Sequence, residues 1–72
     1  MSNERITAEI TETVAMLGGT LLFDIAEVAA QCDDSCQIIW CEDSAAYVIR
    51  ARGGVPLFMF DNSMGCLDAV RQ

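Results

Sequence analysis

The stretch Gln37-Ile38-Ile39-Trp40-Cys41-Glu42-Asp43-Ser44-Ala45-Ala46-Tyr47-Val48-Ile49-Arg50-Ala51 decides how the rest of the chain is read. Two runs rich in β-branched and aromatic residues, Gln37 to Glu42 and Ala45 to Ala51, meet at the polar triplet Glu42-Asp43-Ser44. Such runs suit a pleated, half-buried surface, and the polar triplet suits a chain reversal. The segment therefore predicts a β-hairpin that brings Trp40 and Tyr47 near one another across its strands. Arg52-Gly53-Gly54 supplies the next turn, and Val55 to Phe60 reads as a third strand. Pro56 lacks an amide donor and belongs at the start or edge of that strand. Phe58 and Phe60 alternate with Met59, so one set faces the covering helices and the other, if uncovered, forms an interface.

Upstream of the hairpin the period is helical. Ile6, Ile10, Val14 and Leu17 recur at spacings of four, four and three, which puts them on one face of a helix over residues 4–17. Ser2 or Asn3 can cap it, and Glu4 in its first turn suits the helix dipole. Gly18-Gly19 ends it. Thr20 can cap a second helix from about Leu21 to Gln31, with Asp24, Glu27 and Gln31 opposite an apolar surface. Thr20 to Ile25 also admits a strand as the rival reading. Cys32-Asp33-Asp34-Ser35 is a polar break. Past the third strand, Asp61-Asn62-Ser63 can cap a short helix from about Met64 to Val70. The expected architecture is α+β: an N-terminal helical hairpin packed on a three-stranded antiparallel sheet, then a short C-terminal helix.

The 72 residues leave room for one hydrophobic core and one small domain spanning 1–72. Hydrophobic residues make up 53% of the chain and charged ones 21%, a balance that opposes disorder. On so small a body some apolar side chains must reach the surface, where they invite a partner or a second copy of the chain. Eleven acids stand against four arginines, with no lysine or histidine, for a net charge of -7. That excess repels phosphate backbones and argues against direct nucleic-acid binding. It favours a partner protein with a basic surface, for example a nucleic-acid-binding protein whose groove the carboxylates would occupy. The polar N-terminus lacks the apolar run of a signal peptide, and no apolar stretch is long enough to cross a bilayer. The expected setting is cytoplasmic, with reduced cysteines and no membrane contact.

Catalytic chemistry finds little support. Without histidine, neither serine nor cysteine has its usual base. Ser63-Met64-Gly65-Cys66 sits where a strand is expected to enter a helix, but Asp61 stands where a nucleophile elbow needs its first glycine. The glycine pairs at 18–19 and 53–54 fit no phosphate-binding loop. Cys32, Cys36, Cys41 and Cys66 could in principle hold zinc, yet their separations of four, five and twenty-five lack the tight C-x2-C knuckle. Core cysteines are the simpler reading, so no cofactor or metal is expected. Arg50 and Arg52 are expected to pair with Glu42 or Asp43 across the hairpin.

What remains points to a non-enzymatic binding protein. Asp33, Asp34, Glu42 and Asp43 concentrate negative charge near the sheet, and Trp40 and Tyr47 are good interface anchors. These six form the expected partner-binding set. A structural, homodimer-forming role is the alternative, and a small four-cysteine zinc domain a third. In size and charge the whole chain resembles small acidic phage-encoded inhibitors of host defence systems, including anti-CRISPR proteins. No motif carries that resemblance; it implies inhibition and assigns no residue a role.

Overall fold

The computed structural model describes residues 4–72. Helix α1 (Glu4–Leu17) forms where the apolar period places it, with Ile6, Ile10 and Thr13 buried. The Thr13 hydroxyl donates to the Glu9 carbonyl at 2.8 Å, so its burial leaves no unpaired polar atom. The expected cap at Ser2 or Asn3 lies outside the described residues. At the other end Gly18 donates its amide to Val14 O at 3.0 Å.

The expected second helix is largely replaced. Thr20–Leu21 form a short strand, β1, and helix α2 covers only Ile25–Ala30. Asp24, not Thr20, caps α2: its side chain accepts the Ala26 amide at 2.9 Å. There is thus no N-terminal helical hairpin of two full helices. The reason lies downstream, because β1 needs a strand beside it.

The chain continues through β2 (Gln37–Cys41), β3 (Ala46–Arg50), β4 (Pro56–Ser63) and β5 (Cys66–Arg71). Instead of a three-stranded antiparallel sheet, five strands lie in the order β1-β5-β4-β3-β2. β1 runs parallel to β5, and the other neighbours are antiparallel. The segment expected as a C-terminal helix is β5. Met64 and Gly65 both take positive φ, 54° and 78°, the pattern of a tight hairpin turn between β4 and β5. Cys66 to Arg71 then alternate: Leu67 is wholly buried while Val70 stays 40% exposed. β5 in turn gives β1 its partner, Thr20 opposite Cys66 and Leu21 opposite Leu67.

Both helices pack on one face of the sheet. Ile6 and Ile10 of α1 and Val28 and Ala29 of α2 meet Ile49, Phe58 and Phe60, with Cys32 and Cys36 sealing the core below α2. Phe23 stacks on Phe60 at 5.6 Å. Phe58 and Phe60 therefore form the covered set, and Met59 faces the other way, where no described helix lies. Arg5 ties α1 to the segment before β2 by donating to Asp34 O at 2.8 Å and Cys36 O at 2.7 Å.

Candidate protein-interaction surface

β2 is the outermost strand on its side of the sheet, so one row of its backbone amides and carbonyls has no strand beside it. Edges of this kind are usually blunted by lysine, proline or a bulge. Gln37-Ile38-Ile39-Trp40-Cys41 carries none of these; the register shift in this sheet lies between Ile49 and Arg50. Along the strand Ile39 is 42% and Trp40 47% exposed. They point to opposite faces, so both sides of the edge offer apolar area.

The six expected site residues all border this strand, but not as a single patch. Asp33 and Asp34 precede β2, and Glu42 and Asp43 follow it; all four are exposed. Ser35, Cys36 and the five residues of β2 separate the two pairs, and the strand alone spans roughly 17 Å at the usual rise per residue. The acids thus bracket the edge instead of clustering. Trp40 and Tyr47 do come together as paired residues, with ring centroids 5.0 Å apart in an edge-to-face arrangement. Tyr47 is half-buried and supports the more exposed indole.

The two acidic ends differ in chemistry. Asp33 is committed to its own turn: its Oδ1 accepts the Ser35 amide at 2.8 Å and also the Ser35 hydroxyl. The Ser35 hydroxyl, then its amide, holds the Asp33 carboxyl below the ordinary value. Ser35 Oγ in turn accepts the Arg52 amide at 3.2 Å, which fixes the start of β2 against the turn before β4. Asp33, Asp34, Ser35 and Arg52 line an open hollow of about 340 Å³. At the other end, Leu17, Trp40, Ser44 to Ala46 and Met59 to Asn62 line one of about 310 Å³. Here the Cys41 thiol is lowered in pKa, first by the Ser44 amide and then by the Ser44 hydroxyl.

Several sequence expectations are redrawn. Arg50 sits opposite Gln37, at the far end of the hairpin from Glu42 and Asp43, and donates instead to Gly54 O at 2.9 Å. Ser63-Met64-Gly65-Cys66 joins two strands, not a strand and a helix. Cys32 and Cys36 are buried in the core, whereas Cys41 and Cys66 are half-buried in the sheet. Among the described residues no three cysteine, histidine or carboxylate side chains converge as a metal site. No described helix is long and apolar enough to cross a membrane.

Sequence reasoning gave Asp61 a helix cap and passed over Asp68; the structure sets the two directly opposite one another on β4 and β5. The signal that could have found them is the alternation of Asp68 with Leu67 and Ala69, once residues 66–71 are read as a strand. Compared with protein-family models, with curated proteins and with solved structures, the chain finds no match.

Proposed function

We propose that this protein is a non-enzymatic protein-binding module that engages a basic partner along the β2 edge, and inhibits that partner by occupying the surface it covers. The observation that carries the reading is an unguarded five-residue edge strand with carboxylates at both ends. An extended partner segment laid along β2 would complete its backbone hydrogen bonds, with Ile39 and Trp40 supplying side-chain contact. Basic residues flanking that segment would meet Asp34 at one end and Glu42 and Asp43 at the other.

The bracketing acids also select against the wrong partner. Two copies pairing β2 to β2 in antiparallel fashion would set the Asp33–Asp34 end of one beside the Glu42–Asp43 end of the other. Like charges would then meet at both ends of the new ladder. A basic strand meets attraction where a second copy meets repulsion, which is how charge placement confers specificity.

The test starts from native mass spectrometry of the protein purified gently from its host, which identifies any protein held in complex. The variant carrying Asp33→Lys, Asp34→Lys, Glu42→Lys and Asp43→Lys is then titrated with that partner, its fold checked by circular dichroism. At least a tenfold loss of affinity with the fold intact is the expected result. Unchanged affinity removes the acidic ends from the reading, and isolation without any protein of a different sequence overturns it.

A further inference from the structure

The helix-free face of the sheet is a second surface, which meets the β2 edge at Ile39. The registers place Ile39, Val48, Met59 and Val70 opposite one another in a single row across four strands. Ile49, Phe58 and Phe60 point to the helices, so this alternate set points away from them. Val48, crowded by its neighbours, is only 4% exposed, while Ile39 and Val70 at the two ends are 42% and 40% exposed. Two residues along the strands from this row, on the side of the β2–β3 turn, Asp61 faces Asp68. Carboxylates directly opposite on neighbouring strands repel. Among the described residues Arg5 forms a salt bridge with Glu9, and neither of these carboxylates has a cation there. On the other side of the row lies Arg50, whose guanidinium donates to the Gly54 carbonyl.

We infer that a second copy of the chain covers this face, the two sheets packed about a twofold axis that runs along the apolar row. That axis lays each row upon its twin. It also turns the Arg50 end of one copy over the Asp61–Asp68 end of the other, twice by symmetry. Face-packed sheets stand about 10 Å apart, within reach of an arginine and a carboxylate extended toward each other. An axis parallel to the strands would instead bring the carboxylate pairs together, so the charges choose between the two arrangements. The net charge of -7 on each chain opposes association. Screening beyond about 8 Å at physiological ionic strength confines that repulsion to groups near the interface.

Sedimentation equilibrium of the full chain, from low micromolar to several hundred micromolar, reads the outcome directly. The wild type is expected to move from 7.8 kDa to twice that mass. Val70→Lys, a change at a half-exposed position that leaves the core alone, is expected to raise the dissociation constant about thirtyfold. Arg50→Glu weakens the dimer, and Arg50→Glu combined with Asp61→Arg restores it, because the pair exchanges sign across the axis. The fourfold acid reversal on the β2 edge leaves the dimer intact, which keeps this proposal separate from partner binding. A wild type that stays monomeric throughout overturns the inference. So does a dimer indifferent to Val70→Lys, or one that the charge exchange fails to restore.

Discussion

Gly19 turns with φ of +92°, and a Cβ there would stand 2.5 Å from Gly65 O. That oxygen already accepts the Thr20 amide at 3.0 Å, so the close approach belongs to the start of β1 and its joining to the sheet. Gly19→Ala is expected to cost about 2 kcal/mol or more, since the turn before β5 must retreat and a left-handed alanine adds its own strain. Gly18→Ala meets open space at φ +70° and is expected to cost about 1 kcal/mol. Urea unfolding midpoints of the two variants measure the difference. Cys32 is a second informative residue. Burial, then the neighbouring Cys36 thiol, pushes its pKa up from 9.0 to about 12. In the unfolded chain the thiol ionises near its ordinary value, while the native thiol stays neutral. Stability from this group is therefore whole below pH 9 and declines as the pH rises toward about 12. Cys32→Ala is expected to flatten that decline in pH-dependent denaturation, whatever it costs in packing. Equal slopes for the two proteins would show that Cys32 is not its source.

Among the elements, α1, β2 and β3 were legible because their periods are clean. The third strand was legible too, but it runs on to Ser63, through the residues read as a helix cap. Met64, Leu67 and Val70 recur every third residue and suggest a helical stripe, yet so short a run fits strand alternation equally well. The tie is broken by the Met64–Gly65 turn and by the open flank of β4, neither of which a local period reports. Misreading β5 also removed the neighbour that β1 requires, so Thr20–Leu21 read as helix for the same reason. Two errors share one cause. Of the candidate site the structure shows position alone: all six expected residues lie in or beside β2. Their division into two ends was not legible in the sequence, because separation along a strand appears only once the strand's limits are known. The strand assignment has a direct check. On β5, Leu67→Ala empties a wholly buried position and is expected to cost about 3 kcal/mol, whereas Val70→Ala on the open face costs under about 1 kcal/mol. A helix with both residues on one apolar stripe would show comparable losses, and denaturant titration of the two variants distinguishes the cases.

For the molecule as a whole, charge and apolar contact act on different stages of binding. A chain of net charge -7 attracts a basic partner well before contact, and salt weakens that attraction. In the proposed complex Trp40 would act only once the surfaces touch, where its half-exposed indole, supported by Tyr47, can be desolvated. Stopped-flow association with the identified partner, followed through this single tryptophan, is therefore expected to slow about tenfold or more between low and high salt. The fourfold reversal of Asp33, Asp34, Glu42 and Asp43 removes most of that salt dependence and lowers the association rate. Trp40→Phe, followed through a label on the partner, should leave association within about threefold and speed dissociation, because encounter is governed by long-range charge and residence by short-range packing. If Trp40→Phe slowed association as much as charge reversal did, the indole would be acting before contact. The division between an acidic bracket that steers and an edge strand that holds would then fail.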